Sequence, residues 1–287
     1  MKPCIIYGHR VTQQPEATFG PDVTNCVSMN EFERLLDSLA GQPPAPDWVG
    51  QLARHEPGQQ PFPLLTFDDG YEDIRSAALP LIEQYRVPCI IFVTTGFVDR
   101  ELGDYESTLA GMLATARELD CPRLGRLELA DTEARAEAYD RLRLLLKPRS
   151  RRARQRYIDG LKRLNPAVAN GLQSRFLDWA SVRELDRHPL VSIGAHSHSH
   201  ILLSRPNPLE VYRELVTSRQ RLEEQLQRRV DLLAYPYGAH TAMTRFLARQ
   251  AGYRLGFATG PVTDDSEFNR MSIPRVDIHE YLNNLPV

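Results

Sequence analysis

An apolar run that ends in two adjacent carboxylates stands at residues 64–70, which read Leu-Leu-Thr-Phe-Asp-Asp-Gly. The run is typical of a buried strand, and Gly70 favours a turn after it. In an α/β barrel, side chains at the carboxyl end of a strand point into the site where the chemistry occurs. Asp68 and Asp69 would repel each other there unless a cation or an arginine offset their charges. The stretch therefore predicts a metal ion on one carboxylate and a different role for the other, with a solvated turn as the alternative.

Three histidines follow a second predicted strand, in the run His196-Ser197-His198-Ser199-His200. Neutral imidazoles are good ligands for zinc. His196 and His200 can face one ion if the chain turns helical after the strand, whereas His196 and His198 share a face if the strand continues through them. Asp69 would supply the third ligand to either pair, and a coincidental polar loop is the alternative.

A third predicted strand ends in Tyr235-Pro236-Tyr237-Gly238. The two aromatic residues and the proline–glycine turn could serve packing alone. The same turn could offer a backbone N–H and an aromatic wall to a substrate, as an oxyanion site requires. Both interpretations fit the sequence at this point.

Short β-rich runs alternate with amphipathic helical stretches, which is typical of an α/β protein built around a parallel sheet or barrel. Seven strands are predicted, a number that favours a barrel over an open sheet. Between residues 103 and 176 helical periodicity replaces the strand pattern, so we expect one domain over residues 1–287 with a helical insertion at 103–176. The predicted strands are Cys4–Tyr7, Pro63–Phe67, Pro88–Val93, Val191–Ala195, Leu232–Ala234, Leu255–Ala258 and Met271–Val276. The predicted helices outside the insertion are Asn30–Ala40, Ile74–Gln84, Trp179–Asp186, Leu209–Gln227 and Ala242–Gln250.

The composition is that of a globular protein, with 42% hydrophobic and 25% charged residues among 287, which argues against disordered and integral membrane classes. Thirty-five Lys and Arg against 37 Asp and Glu leave a net charge of -2, so no nucleic-acid partner is expected. The sequence shows no signal peptide or lipidation motif, and no apolar window reaches the roughly 20 residues of a transmembrane helix. We therefore expect a cytoplasmic protein with free thiols at its scattered cysteines, which are Cys4, Cys26, Cys89 and Cys121.

Eight basic residues lie between Arg141 and Arg156 without an acidic residue among them. A solvated helix face, balanced by the acidic stretch from Glu128 to Asp140, is one interpretation. A docking surface for phosphate or for an anionic lipid head group is the other, and it would give the insertion peripheral contact with a membrane. The eight are Arg141, Arg143, Lys147, Arg149, Arg151, Arg152, Arg154 and Arg156.

The three strand-end motifs resemble those of polysaccharide deacetylases of the NodB-homology type, carbohydrate esterase family 4. Thr66–Gly70 matches the TFDDG motif of that family, His196–His200 matches its H-[S/T]-x-x-H motif, and Tyr235–Gly238 resembles its third motif. The resemblance extends from Tyr7 to about Val276 and is interrupted by the insertion. It implies a distorted (β/α)7 TIM-like barrel and a metal-dependent hydrolase that removes an N-acetyl group from an amino sugar.

The resemblance also implies roles for individual residues. Asp68 would be the general base, and the backbone N–H of Tyr237 would help to hold the oxyanion. A divalent metal ion would be held by Asp69, His196 and His200. Zinc is the expected ion, with cobalt, nickel or iron(II) as the other candidates, and no organic cofactor is expected.

The general acid and the arginine of the third motif depart from the family pattern. No clear L-x-H motif follows the last predicted strand, where many members carry the histidine that protonates the leaving amine. His9, in a segment that resembles the N-terminal Y-H-x-V opening of one family branch, is our candidate acid. A capping role for His9 is the alternative, and His279 is the reserve candidate. Ala234 stands where the family has its arginine, and we expect Arg275 to hold the base carboxylate instead, because arginine can bind a carboxylate through two hydrogen bonds; a surface salt bridge is the alternative for Arg275.

We predict that the substrate is an intracellular, lipid-linked or nucleotide-linked precursor of a surface polysaccharide, with the basic insertion holding its phosphate. A deacylase or deformylase of a non-polysaccharide amide is the closest alternative. A catalytically disabled glycan-binding relative is another, supported only by the missing arginine. An iron(II) oxygenase is disfavoured because those enzymes usually carry an H-x-D or H-x-E triplet, which the sequence lacks.

Overall fold

Strands and helices alternate in the computed structural model, which describes residues 5–12, 20, 25–40, 49–50, 63–168, 176–204, 207–260 and 269–285. The strands in these ranges are β1 (Ile5–Gly8), β2 (Arg10–Thr12), β3 (Cys26–Ser28), β4 (Leu64–Phe67), β5 (Cys89–Val93), β6 (Glu118–Cys121), β7 (Gly125–Glu128), β8 (Val191–Ala195), β9 (Leu232–Ala234), β10 (Leu255–Phe257) and β11 (Val276–Asp277). The α-helices are α1 (Met29–Leu39), α2 (Leu79–Tyr85), α3 (Thr95–Val98), α4 (Tyr105–Thr115), α5 (Thr132–Leu146), α6 (Arg151–Leu164), α7 (Trp179–Asp186), α8 (Pro208–Leu226), α9 (Ala242–Gln250) and α10 (Ile278–Asn283). A π-helical turn (Ile74–Ala78) precedes α2, and a 3-10 turn (Pro236–Gly238) follows β9.

Seven parallel strands form the main sheet in the order β10-β9-β8-β5-β4-β1-β11. Residues 270–275 run beside β10, where Gly256 N donates to Arg270 O and Ala258 N donates to Ile273 O, both at 2.8 Å. The same segment leads directly into β11, which pairs with β1. The two edges of the sheet are thereby joined, and the predicted α/β fold, a distorted barrel of seven strands, is confirmed.

The predicted elements differ from the structure mainly at their ends. Pro63 and Pro88 lie just outside β4 and β5, since proline has no N–H to donate to a neighbouring strand. The predicted strand Met271–Val276 is wrong over most of its length: only an isolated bridge at Ile273 precedes the two-residue β11. Pro274 interrupts the hydrogen-bond ladder between that bridge and β11.

The segment 103–176 is not wholly helical, contrary to the sequence-based expectation. Beside α4, α5 and α6 it contains an antiparallel hairpin of β6 and β7, in which Leu119 pairs with Leu127 and both are buried. The division into one barrel domain with an insertion stays a prediction. Residues between 105 and 161 do form a hydrophobic cluster of their own, comprising Tyr105, Leu109, Met112, Leu113, Ala116, Leu119, Cys121, Leu127, Leu129, Ala138, Tyr139, Leu142, Leu146, Ile158 and Leu161.

No helix in the described ranges is both long enough and apolar enough to cross a membrane. Cys26, Cys89 and Cys121 are buried and form no disulfide with one another, and Cys4 lies outside the described residues.

Candidate active site

A cavity of about 490 Å³ lies at the carboxyl ends of the barrel strands. Its lining includes residues that directly follow β1, β4 and β8, and the turn after β9, because parallel strands bring their carboxyl ends to one side of the barrel. The sequence-predicted residues among them are His9, Asp68, Asp69, His196, His200 and Tyr237.

Asp69, His196 and His200 form a group whose ligand atoms lie within 4.8 Å of one another. The Oδ1 atom of Asp69 is 3.3 Å from His200 Nε2 and 3.6 Å from His196 Nε2. That oxygen is buried and has no hydrogen-bond partner among the described residues. A buried carboxylate oxygen without a donor, facing two imidazole nitrogens, is satisfied by a cation, so these residues fit a divalent metal ion.

The protonation states of the two histidines also suit metal binding. His196 Nδ1 donates to the Ala234 carbonyl at 2.9 Å, which leaves its Nε2 lone pair facing Asp69. Burial lowers the pKa of His196 to about 4 and that of His200 well below its ordinary value. Burial, together with the carboxylates of Asp104 and Asp68, raises the pKa of Asp69 well above its ordinary value. Two neutral imidazoles therefore face a carboxyl group that needs a cation to ionise.

Backbone turns at both strand ends set this geometry. Asp69 adopts a left-handed φ of 71° and is followed by Gly70 at 83°, so the chain reverses directly after β4. Ser197 and His200 are also left-handed, and His200 N donates to Ser197 Oγ at 3.0 Å. His198 is turned away from the group, since its Nδ1 lies 2.9 Å from Thr95 Oγ1. The chain thus pairs His196 with His200 rather than with His198.

Asp68 is held by Arg275 through two hydrogen bonds of 2.8 Å, one to each carboxylate oxygen. Arg275 Nη1 also donates to Thr66 Oγ1 at 3.0 Å, and the arginine side chain is fully buried. Burial by itself would raise the pKa of Asp68, but the guanidinium outweighs it and holds that pKa well below its usual range. The structure therefore places Arg275 where the sequence analysis expected a substitute for the missing arginine.

His9 and His279 occupy different environments. His9 lines the cavity directly after β1, and burial lowers the pKa of its imidazole. His279 is not among the cavity-lining residues; its backbone N–H donates to Asp277 Oδ1 at 2.9 Å at the start of α10. Of the two candidate acids, the structure brings only His9 to the cavity.

Tyr237 sits in a left-handed conformation, with φ 61°, inside the turn after β9. The hydrogen bonds of that turn are donated by Gly238 and Ala239, so the turn does not use the N–H of Tyr237. The Tyr237 ring packs on the His200 ring with centroids 4.7 Å apart. Its hydroxyl donates to Glu106 Oε1 at 3.1 Å.

One wall of the cavity comes from segment 103–176, and of its residues the sequence analysis singled out only Arg143 and Lys147, as part of the basic run. Glu106 is buried there and accepts hydrogen bonds from the hydroxyls of Tyr105, Tyr139 and Tyr237 and from Arg143 Nε. Arg154 of the basic run is 5% exposed, so the interpretation of that run as a solvated helix face is wrong for this residue. No local signal in the sequence separates these residues from the exposed charges around them. The wall residues are Asp104, Glu106, Ala136, Tyr139, Asp140, Arg143 and Lys147.

A family model described as polysaccharide deacetylase matches residues 55–256, which is more than half of the chain. The chain belongs to the polysaccharide deacetylase family. It is accordingly a carbohydrate deacetylase, a hydrolase that deacetylates amino sugars. A search among curated proteins gave no match.

Three solved structures illustrate the similarity of fold. Streptococcus pyogenes deacetylase PplD in complex with acetate has a TM-score of 0.61 and 16% identity, covering 100% of this chain and 99% of that chain. The de-N-acetylase from Aggregatibacter actinomycetemcomitans has a TM-score of 0.56 and 16% identity, covering 96% and 95%. IcaB from Ammonifex degensii has a TM-score of 0.56 and 16% identity, covering 98% and 96%. At these identities the similarity establishes the shared fold.

Proposed function

We propose that this deacetylase removes the N-acetyl group of an amino sugar in a lipid-linked or nucleotide-linked precursor of a surface polysaccharide, inside the cell. One observation carries the catalytic part: a carboxylate paired with arginine adjoins an Asp-His-His group in a single cavity. The substrate part draws on Arg143 and Lys147 in the cavity wall, which would suit a phosphate. Among the described residues, no carboxylate lies within 4.0 Å of the Lys147 ammonium, which faces the Tyr237 ring at 4.2 Å.

Asp69, His196 and His200 would hold the metal ion, for which we propose zinc, with cobalt, nickel and iron(II) as the other candidates. Such an ion, when bound, supplies a Lewis acid and lowers the pKa of water. Asp68 accepts the proton of the attacking water, and Arg275 keeps Asp68 ionised so that it can do so. The Tyr237 N–H stabilises the negative charge that develops on the acetyl oxygen.

His9 donates a proton to the leaving amine of the sugar. It lines the same cavity as Asp68. Burial lowers the pKa of His9, the Asp68 carboxylate acts in the opposite direction, and Arg275 lowers the pKa further, so the imidazolium gives up its proton readily.

A deacylase or deformylase of a non-polysaccharide amide remains the second candidate. The roles proposed for Asp68 and Asp69 concern the amide bond itself and do not require a sugar. The interpretation as a disabled glycan-binding relative relied on the missing arginine alone. Arg275 now fills that role towards Asp68, which favours a working site.

Acetate release from lipid-linked and nucleotide-linked N-acetyl sugars tests the proposal, with simple formamides and acetamides as the competing substrates. Asp68→Asn should keep its metal and lose at least about 10²-fold in kcat, because the base is gone and the ligands are not. His200→Ala should lose both metal and activity. His198→Ala is the matched control from the same run and should retain its metal. Full activity of Asp68→Asn, or a metal content of His200→Ala equal to that of His198→Ala, would contradict the assignments.

A further inference from the structure

A second cavity, of about 180 Å³, lies between α6, the start of α4 and Ser199 of the histidine run. Its lining contains three cationic side chains, and none of its lining residues is acidic. The three cations share one face of α6, because positions three, eight and eleven residues apart return to the same side of a helix. We call it the cationic cavity, and its cations are Arg151, Arg154 and Lys162.

Arg154 is the buried member of the cationic cavity, with 5% of its surface exposed. Its Nη2 atom donates to the carbonyls of His200 at 3.0 Å and Ser199 at 3.5 Å, and its Cζ lies 4.8 Å from the centre of the Tyr105 ring. In the described part of the chain, no carboxylate lies within 4.0 Å of the guanidinium, and Nε and Nη1 have no hydrogen-bond partner. Neither of these atoms is sealed from solvent. These N–H groups are therefore open to solvent, on a residue that lines the cationic cavity.

Arg151 and Lys162 stand at the exposed rim of the same cavity. The carboxylate nearest to Arg151 is that of Glu101, at 4.0 Å, and both side chains are exposed, so the pair is weak. No ion pair of Lys162 occurs among the described residues. A buried guanidinium without a carboxylate is costly unless an anion approaches it, and two rim cations would attract one.

We propose that the cationic cavity binds a phosphate-type oxyanion, in addition to the deacetylase function. The free N–H groups of Arg154 donate to the anion, and the charges of Arg151 and Lys162 close over it from the rim. The volume is several times the roughly 30 Å³ that one water occupies, which accommodates phosphate. Arg154 also holds the His200 carbonyl, so the oxyanion site and the Asp-His-His group share one side chain.

Titration of the full-length protein with inorganic phosphate, followed by calorimetry, tests this site. The titration is run on protein loaded with metal and on protein from which metal and chelator have been removed, because phosphate on the metal would disappear in the second sample. We expect saturable binding in both samples. Binding that vanishes with the metal, or no saturable binding at all, would overturn the proposal.

Paired variants locate the site on α6. Arg151→Gln/Lys162→Gln removes two cavity charges and should raise the Kd for phosphate roughly threefold to tenfold. Arg152→Gln/Arg156→Gln removes two exposed charges of the same helix that do not line the cavity, and should leave the Kd within about twofold. Equal effects of the two pairs would indicate general surface charge and reject the site. Arg154→Met should abolish phosphate binding. If that buried variant does not fold, the comparison of Arg151→Gln/Lys162→Gln with Arg152→Gln/Arg156→Gln still decides the question.

The oxyanion could be free phosphate or the phosphate of a sugar substrate, and competition distinguishes these sources. N-acetylglucosamine 1-phosphate is the probe, and N-acetylglucosamine is its uncharged control. If N-acetylglucosamine 1-phosphate displaces inorganic phosphate, and Arg151→Gln/Lys162→Gln raises KM for the sugar phosphate but not for N-acetylglucosamine, the oxyanion is the phosphate of the substrate. If phosphate binding weakens in the rim pair while KM for the sugar phosphate is unchanged, the ligand is free phosphate.

Discussion

Asp68 and Asp69 are neighbours in the chain but lie in opposite electrostatic surroundings. Asp68 has a guanidinium across both carboxylate oxygens, whereas Asp69 has a buried oxygen without a donor among the described residues. The pKa of Asp68 is held well below its ordinary value and that of Asp69 is raised well above it. Two carboxylates with displaced pKa values in one cavity are typical of groups with different chemical roles.

Asp69→Asn should stabilise the metal-free protein, by about 1 kcal/mol, while removing metal binding. Asparagine has the same shape, tolerates the left-handed φ of 71°, and carries no charge that burial penalises. Thermal unfolding of metal-depleted protein measures the first effect and metal content the second. A lower midpoint for Asp69→Asn than for the wild-type protein would show that the carboxylate is satisfied without a cation.

His9→Ala should lower kcat at least about 10²-fold and leave metal content unchanged, because the residue would protonate the leaving amine and is not a ligand. His279→Ala is the control and should retain kcat, since His279 does not line the cavity. Steady-state kinetics and metal analysis of the two variants check this. A larger loss of kcat in His279→Ala would move the acid role to that residue.

At the scale of elements, the sequence predicted what short-range patterns encode. Six of the seven barrel strands were predicted nearly in place because each is a continuous apolar run, as Cys89–Val93 is, whereas the last strand was misplaced. The β6–β7 hairpin was missed because each strand has four residues with charged side chains on the exposed face, which also fits a helix. The break in Met271–Val276 depends on pairing with β10, which no local pattern records.

The start of α4 provides a pH-dependent prediction. Asp104 caps this helix by accepting from the N–H groups of Glu106 and Ser107, while burial and the Glu106 carboxylate raise its pKa to about 6. Between pH 4 and 6 Asp104 is protonated in the folded protein but ionised in the unfolded chain. Its contribution to the free energy of unfolding therefore falls as the pH rises through this range. Asp104→Ser keeps a cap without the charge. The variant should be more stable than the wild-type protein by about 1 kcal/mol at pH 7, a difference that disappears towards pH 4.

The cap of α7 is the matched control for Asp104→Ser. The backbone N–H of Ser181 bonds to Asp178 and lowers its pKa, so ionised Asp178 stabilises the fold above its ordinary pKa. Asp178→Ser should therefore be less stable than the wild-type protein at pH 7. Denaturant unfolding of metal-free protein between pH 4 and 7 measures both variants. If both substitutions raised, or both lowered, the free energy of unfolding at pH 7, the electrostatic explanation would be contradicted.

At the scale of the whole molecule, the cavity lies between two hydrophobic cores. The metal-ligand candidates stand on the barrel, whose core includes Leu65, and the opposite wall stands on a segment with its own core, which includes Leu142. Separate cores unfold with separate free energies when few apolar contacts join them. The two cores share no residue, so we expect the segment around Leu142 to unfold separately from the barrel.

Leu142→Ala should destabilise the segment by about 2 to 5 kcal/mol, because a fully buried leucine leaves a cavity in α5. Hydrogen exchange should quicken in α4, α5 and α6 and stay unchanged in β4 and β5. Leu65→Ala in β4 is the control and should quicken exchange in the barrel strands. Uniformly faster exchange across both regions in Leu142→Ala would show a single cooperative unit.

The candidate site was predictable where its residues are neighbours in the chain. Asp68 with Asp69, and His196 with His200, are visible as short motifs at strand ends. Arg275 was expected only by elimination, because its partner lies 207 residues away. Glu106 and the tyrosines around it escaped prediction, since their hydrogen bonds join helices and a turn that come together only in the folded chain.

The separation of 207 residues between Asp68 and Arg275 also sets an order of events during synthesis. All three metal-ligand candidates have been translated once the ribosome passes residue 200, whereas the partner of Asp68 is still to come. A nascent chain of that length therefore contains every ligand candidate while Asp68 still lacks its counter-charge. Closing the barrel with the last strand then brings Arg275 to Asp68 and keeps that carboxylate ionised once it is buried, so the ion pair of Asp68 is acquired late in biosynthesis.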